Sequence, residues 1–160
     1  MTTFSLDTPR LRLVLESTDD ILARIDAMPV EHRAQVSPEW VARLRATSAS
    51  HPWTHGFAMF DRASDVDVGS CAFKGAPGED GAVEIAYEVH EEFRGRGFAK
   101  EAAAALVDFA LTHTEVGVVR AHTMPENGAS AGVLRACKFE FLGDVIDPED
   151  GPVWRWERRR

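Results

Sequence analysis

The chain has 160 residues, of which 44% are hydrophobic, and it carries a formal net charge of −8. A chain of this length can bury a substantial core, so we expect residues 1–160 to form a single domain. The acidic balance argues against a nucleic-acid-binding surface, and no apolar run approaches the roughly 20 residues that a membrane span needs. Cys71 and Cys137 lie far apart without a Cys-x-x-Cys spacing, so we expect reduced thiols in a cytoplasmic protein.

The first half of the chain predicts three strands and two helices. Charged and apolar residues alternate over Arg10–Leu15, which is the period of a half-buried strand. Two helices follow, and their predicted N-caps are Ser17 or Thr18 for the first and Ser37 for the second. The segments His55–Arg62 and Val66–Gly75 flank a polar turn, so they predict a hairpin.

The second half predicts four more strands and two more helices. Ala82–Val89 is the clearest strand, because its apolar residues alternate and share one face. A long alanine-rich helix is predicted from about Gly97 to His113. The remaining elements are a strand over Val116–Met124, a short helix before Phe139, and closing strands over Phe139–Ile146 and Gly151–Arg158. This order predicts one mixed sheet with helices on its faces, an α/β or α+β domain.

The loop before the long helix has the composition of an anion-binding site. Arg94, Gly95, Arg96 and Gly97 stand together between a strand and a helix. Glycines let an anion approach the backbone, helix-start amides point at it, and arginines supply fixed positive charge. The loop is not a Walker A motif, because Lys100 is followed by Glu101 and not by Ser or Thr. It is not a Rossmann fingerprint either, because Lys100 occupies the position of the third glycine. A plain surface turn that starts a helix is the alternative.

Two motifs in this half of the chain resemble those of a known family. Arg94-x-x-Gly97-x-Ala99 resembles the (Arg/Gln)-x-x-Gly-x-(Gly/Ala) acetyl-CoA motif of the GNAT N-acetyltransferases. The stretch "AHTMPENGASAGVLRACKF" is similar to the strand–Pro-Glu-Asn-x-x-Ser–helix signature of the ribosomal-protein alanine acetyltransferase branch, as is "EIAYEV". The resemblance spans roughly residues 11–157. It implies the GNAT fold, with a mixed, mostly antiparallel sheet of about seven strands, splayed in the middle, and helices on both faces.

The resemblance implies acetyl-CoA as co-substrate, with no metal. The pantetheine arm is expected along the backbone of Tyr87, Glu88 and Val89, in the gap between the splayed strands. Asn127 matches an asparagine that contacts the cofactor, although Asn is also a good helix N-cap. The residues implied around the pyrophosphate are Arg94, Gly95, Arg96, Gly97, Phe98 and Ala99.

Acetyl transfer requires a base for the amine and a donor for the leaving thiolate. Glu84 is the first candidate base, with a solvated strand position as the alternative. His122 is the second, and its alternative is a structural role. Many family members carry a donor tyrosine where this chain has Leu134; the resemblance to the ribosomal-protein branch implies Ser130 instead, unless Ser130 only bonds within the helix start. Lys138 is a further departure, because the family usually has glycine there.

The implied function is an acetyl-CoA-dependent N-acetyltransferase that acts on a primary amine, either a peptide N-terminus or a small molecule, in a ternary complex. A non-catalytic acyl-CoA-binding domain on the same fold is the alternative, because a fold does not by itself determine a function. Acceptor specificity is expected in the first two helices and in His51–Gly56. A homodimer is possible, and neither nucleic acid nor membrane is expected as a partner.

Overall fold

A computed structural model describes residues 4–47, 49–148 and 150–160. The first part contains two short strands, three helices and then a hairpin: β1 (Ser5–Asp7), β2 (Leu11–Leu15), α1 (Thr18–Asp26), α2 (Val30–Arg33), α3 (Pro38–Ala46), β3 (Phe57–Asp61) and β4 (Val66–Phe73). The second part contains β5 (Ala82–Val89), a 3₁₀ turn (Glu91–Phe93), α4 (Phe98–Leu111), β6 (Val118–Thr123), α5 (Gly128–Ala136), β7 (Glu140–Asp147) and β8 (Gly151–Arg159).

The eight described strands form one sheet in the order β1-β2-β3-β4-β5-β6-β8-β7. All neighbouring pairs are antiparallel except β5 and β6, which are parallel. This arrangement confirms the predicted mixed sheet. The eighth strand, β1, was not predicted, because three residues are too few to show an alternating pattern. It pairs with β2 through Ser5↔Val14 and Asp7↔Arg12.

The central parallel pair separates halfway along β5. The register runs from Ala82↔Val118 to Ile85↔Ala121 and continues no further in the described residues. β5 continues to Val89 beside β4, whereas β6 continues to Thr123 beside β8. The two strands therefore diverge beyond Ile85, which is the predicted splay.

Helices cover both faces of the sheet near this divergence. On one face, Val83 and Ile85 are buried in the core that they share with Ala102 and Leu106 of α4. On the other face, Glu84 and Ala86 of β5 line a pocket together with Trp40 of α3. A smaller apolar cluster, Ile21, Ile25 and Leu44, holds α1 against α3.

Side-chain caps begin three of the helices as predicted. Ser17 accepts a hydrogen bond from the amide of Asp20, Ser37 from that of Trp40, and Asn127 from that of Ser130. Asp, Asn and Ser are favoured at such positions because their short side chains satisfy amides that the helix leaves unpaired.

Lys138 and the two cysteines complete the comparison with the sequence. Lys138 has φ +67°, a left-handed conformation that suits the glycine usual in the family at this position. Cys71 and Cys137 are both free and buried, which confirms the expected thiols. No helix among the described residues has the length and apolar character that crossing a membrane requires.

Candidate active site

The loop between β5 and α4 holds two glycines in left-handed backbone conformations. Gly95 has φ +78°, and Gly97, the N-cap of α4, has φ +82°. Gly97 has no side chain, and no side chain caps this helix. The first amides of any helix have no intrahelical partner, and in α4 no capping side chain takes its place. These amides carry the partial positive charge of the helix N-terminus.

A pocket of about 480 Å³ lies beside these amides. It collects ten of the residues predicted from the sequence: Tyr87, Glu88, Val89, Arg94, Gly95, Gly97, Phe98, Ala99, Asn127 and Ser130. Four further lining residues were not predicted: Phe93, Lys100, Ala129 and Val133. We call this space the helix-start pocket. Its lining combines the start of α4 and two cations, Arg94 and Lys100, with the carboxylate of Glu88 and several apolar side chains.

The two arginines of the loop lie differently. Arg94 lines the pocket, and its Nε donates a hydrogen bond to the carbonyl of Val89 at 3.0 Å. Arg96, which was predicted as a second anion-binding cation, is not among the lining residues; its guanidinium lies 5.4 Å from the ring centroid of Phe93. The tertiary structure thus brings only one of the two predicted arginines to the pocket wall.

Arg10, which precedes β2 near the N-terminus, contacts the loop between β5 and α4. Its Nη1 donates to the carbonyl of Arg96 at 2.8 Å, and its Nε bonds to Oε2 of Glu101 at 2.8 Å. Burial raises the pKa of Glu101, but hydrogen bonds from Thr8 and Arg10 outweigh that effect, so the pKa is lowered overall. Sequence reasoning missed this contact, because about ninety residues separate the partners and no local pattern marks it.

Tyr87 and Ser130 meet at the α5 side of the helix-start pocket. The hydroxyl of Tyr87 is buried and has no hydrogen-bond partner in the described structure. Burial raises the pKa of Tyr87 to about 12, and a weak side-chain hydrogen bond with Ser130, which falls short of good hydrogen-bond geometry, partly offsets that effect. Leu134, one turn further along α5, is fully buried and offers no polar atom to this site.

A chain of polar side chains crosses the other face of β5. Nδ1 of His122 lies 3.0 Å from Oε2 of Glu84, and Nε of Arg155 donates to Nε2 of His122 at 3.1 Å. Because Arg155 can only donate, Nε2 accepts and the hydrogen of a neutral His122 is on Nδ1. Nζ of Lys74 approaches the same oxygen of Glu84 at 3.2 Å. Both predicted base candidates therefore lie in one network.

Glu84 faces a second pocket of about 470 Å³, which we call the Glu84 pocket. Trp40 and Arg43 of α3 form one wall, and Asp147 and Pro148 at the end of β7 form another. The Glu84 side chain is 22% exposed, whereas that of His122 is only 6% exposed. Burial lowers the pKa of Lys74, but the charge and hydrogen bond of Glu84 and the charges of Asp150 and Asp147 outweigh it, so that pKa is raised overall.

Sequence comparison identifies the family. The model for the acetyltransferase (GNAT) domain matches residues 3–140. The chain belongs to the GNAT acetyltransferase family. It is an acetyl-CoA-dependent acetyltransferase, with acetyl-CoA as co-substrate.

Two curated bacterial GNAT relatives are similar in sequence. The uncharacterized N-acetyltransferase YjdG of Bacillus subtilis is 26% identical over 168 residues, which cover 94% of this chain and 95% of that protein. The uncharacterized N-acetyltransferase p20 of Bacillus licheniformis is 31% identical over 93 residues, which are 58% of this chain. That match spans about half of the p20 protein, 52% of its length.

Solved structures share the GNAT fold. A ribosomal L7/L12 α-N-protein acetyltransferase in complex with coenzyme A superposes with a TM-score of 0.71, at 16% identity, over 98% of both chains. An aminoglycoside acetyltransferase in complex with coenzyme A superposes with a TM-score of 0.68, at 16% identity, over 94% of this chain and 95% of that one.

The helix-start pocket combines groups that suit a diphosphate with apolar surface. The uncapped amides after Gly97, together with Arg94 and Lys100, suit a diphosphate. Val89 and Val133 offer apolar surface along the same pocket, which suits the pantetheine arm. Among the described residues, no cluster of three or more His, Cys, Asp or Glu side chains could hold a metal ion.

Proposed function

We propose that this protein transfers the acetyl group of acetyl-CoA to a primary amine by direct attack in a ternary complex. The observation that carries the proposal is the placement of the two pockets. Tyr87 and Val89 line the helix-start pocket, whereas Glu84 and Ala86 line the Glu84 pocket. Both pockets thus adjoin β5 where its pairing with β6 ends. A donor in the first pocket and an acceptor in the second can meet through the gap between the diverging strands.

In this proposal acetyl-CoA supplies an acetyl thioester, and its diphosphate is bound by the amides of residues 97–99 and by Arg94. The backbone of residues 87–89, no longer paired with β6, is free to bond the pantetheine amides as a neighbouring strand would. Asn127 caps α5 and holds the first turn of that helix beside the pocket. Arg96 contributes through its backbone carbonyl, which Arg10 holds, and not through direct contact with the diphosphate.

Glu84 is the general base of the proposed reaction. Its carboxylate lines the Glu84 pocket beside Lys74, whereas His122 does not line it, so the carboxylate can reach the amine of an acceptor. His122 has no free nitrogen lone pair, because one ring nitrogen accepts from Arg155 and the other carries the hydrogen directed at Glu84. His122 and Arg155 are therefore positioning residues: Arg155 orients the ring of His122, and His122 orients the carboxylate of Glu84.

The acceptor is a primary amine that arrives as an ammonium ion. Nζ of Lys74, an ammonium, lies 3.2 Å from Glu84, which supports a cationic partner for this carboxylate. The ring of Trp40 offers a further surface for a cation in the same pocket. Peptide N-termini, polyamines and aminoglycosides all meet this description. We place the activity in the cytoplasm, since both thiols are free, and within one domain that spans the chain.

An acceptor screen tests the proposal. Peptides that begin with Ser or Ala, polyamines and aminoglycosides should be supplied with acetyl-CoA while the release of free thiol is followed. Glu84→Gln should lower kcat about 10²-fold or more and leave coenzyme A affinity unchanged. His122→Asn should give a smaller loss. Glu115→Gln, the same change at an exposed position that lines neither pocket, should behave as wild type.

Two results would contradict the proposal. If coenzyme A binds but no amine releases thiol above the rate in buffer, the chain is an acyl-CoA-binding domain without transferase activity. If amines are acetylated and Glu84→Gln turns over at the wild-type rate across pH, Glu84 is not the base.

A further inference from the structure

The hydroxyl of Tyr87 is a buried polar group without a hydrogen-bond partner in the described structure. Such a group costs stability, because it has lost its bonds to water and gained none in return. Native structures tolerate few of these groups, and each one calls for an explanation. The hydroxyl belongs to a side chain that lines the helix-start pocket, so a ligand in this pocket can change the hydrogen bonding of Tyr87.

Ser130 is the polar neighbour of that hydroxyl. It also lines the pocket, it is half-buried, and it lies close enough to influence the ionisation of Tyr87. The amide of Ser130 is engaged by Asn127, which holds the backbone of this residue in place. Its side-chain hydroxyl turns about a single bond, so it can point toward Tyr87 or into the pocket without any movement of α5.

We propose that Tyr87 is a positioning residue for catalysis, whose hydroxyl donates a hydrogen bond to Ser130 and thereby directs the hydroxyl hydrogen of Ser130 at the leaving sulfur. This inference rests on the proposed function and adds a role for the Tyr87 side chain, whereas the family resemblance implied only a backbone contact at this residue. A phenol is a stronger donor than an aliphatic alcohol, so the pair aligns from Tyr87 to Ser130. Two aligned hydroxyls also polarise one another, which strengthens the outer bond.

The balance of the step is straightforward. The acceptor ammonium gives one proton to Glu84 and then attacks as a neutral amine. The new N–C bond forms as the C–S bond breaks, the electron pair of the C–S bond remains on sulfur, and the nitrogen releases its second proton to solvent. Tyr87 and Ser130 keep their protons and contribute hydrogen bonds. The pKa of Tyr87, about 12, lies well above the ~8.5 of an ordinary cysteine thiol, so Tyr87 remains a donor throughout the working pH range and the sulfur takes its proton from solvent.

The first test separates this role from a structural one. Tyr87→Phe deletes only a hydroxyl that makes no well-formed hydrogen bond in the described structure, so without coenzyme A the melting temperature should change little. The value of kcat should fall about 10-fold or more, less than for the loss of a direct donor, while KM for acetyl-CoA stays the same. As a matched control for stability, Thr123→Val deletes a buried hydroxyl that does have a partner, the indole N–H of Trp156, and should lower the melting temperature.

The second test is a double mutant. If Tyr87 acts through Ser130, Tyr87→Phe combined with Ser130→Ala should be no slower than Ser130→Ala alone. Rate losses that multiply would overturn the inference, and so would wild-type kcat in Tyr87→Phe. Ser130→Cys, which retains a weak donor, should recover part of the activity lost in Ser130→Ala.

The third test does not depend on turnover. Tyr87 is the one tyrosine of the chain, so biosynthetic replacement of tyrosine by 3-fluorotyrosine gives a single fluorine NMR signal. Coenzyme A should shift this signal more than desulfo-coenzyme A does, and the difference should vanish in Ser130→Ala. Equal shifts with the two ligands would overturn the inference. If no acceptor is acetylated by the wild-type protein, the proposed function fails, and the fluorine signal still decides whether Tyr87 and Ser130 sense the sulfur.

Discussion

The first turn of α4 offers a quantitative test of where the diphosphate lies. Gly97→Ala adds one methyl group to a residue with φ +82°. The left-handed conformation costs an L-residue roughly 1–2 kcal/mol. The new Cβ would lie 3.1 Å from Nη2 of Arg10, the far end of a flexible side chain that can move aside. Backbone strain therefore dominates, and the melting temperature should fall by about 2–8 °C.

Gly151→Ala is the matched control. Gly151 has φ +74°, and no atom of the described residues lies within 4 Å of an added Cβ. This variant should lose about as much stability as Gly97→Ala, because the backbone conformation is similar. Gly151 does not line the helix-start pocket, so coenzyme A affinity should not change.

Calorimetric titration with coenzyme A distinguishes the two variants. In Gly97→Ala the methyl group would stand where the proposed site brings the diphosphate to the amides, so the affinity should fall about 10-fold or more, which corresponds to roughly 1.4 kcal/mol. If both variants melt earlier and both bind coenzyme A as the wild type does, the diphosphate does not approach the backbone at Gly97, and the assignment of this loop is wrong.

Two further predictions concern Arg10 and His55. Arg10→Ala removes the bond to the carbonyl of Arg96, so KM for acetyl-CoA should rise about 3- to 10-fold at unchanged kcat; steady-state kinetics would check this, and an unchanged KM would contradict it. Burial lowers the pKa of His55 from its ordinary 6.5, and the amide of His51 donates a hydrogen bond to Nδ1, which favours the neutral ring. The neutral ring therefore stabilises the fold above about pH 6.5, and that stability is lost as the pH falls. Urea unfolding between pH 5 and 8 should therefore show a weaker pH dependence for His55→Gln than for wild type, and an exposed-site control, His32→Gln, should keep the wild-type slope.

Local patterns were sufficient for most of the secondary structure. Alternation marked β5 with the bounds that the structure has, from Ala82 to Val89, because one face of this strand packs into the core and the other lines a partly open pocket. Ser17, Ser37 and Asn127 marked three helix starts, because a cap bonds to an amide only two or three residues away. The glycines before α4 were also predictable, since their left-handed conformations belong to the turn itself.

Family resemblance extended this reading to the splayed sheet and to acetyl-CoA. Composition and periodicity do not specify a topology. The two motifs, each on a strand–helix unit, indicated one because proteins of a known family carry similar motifs in the same order. The family match over residues 3–140 confirms that step. The roles of individual residues in the pockets stay predictions that the experiments above address.

The sequence by itself determined the turns, the caps, the alternating strands and the glycine loop, because each depends on residues within a few positions of one another. Only the tertiary structure decided which long-range partners meet. Glu84, His122 and Arg155 come from three strands, and they join because the register sets Glu84 opposite Arg120 and His122 opposite Arg155. Likewise, packing alone turned Arg96 from the pocket and left the hydroxyl of Tyr87 buried without a partner. Such contacts depend on how elements that are far apart in the sequence pack against one another. A local pattern of residues carries no information about that packing.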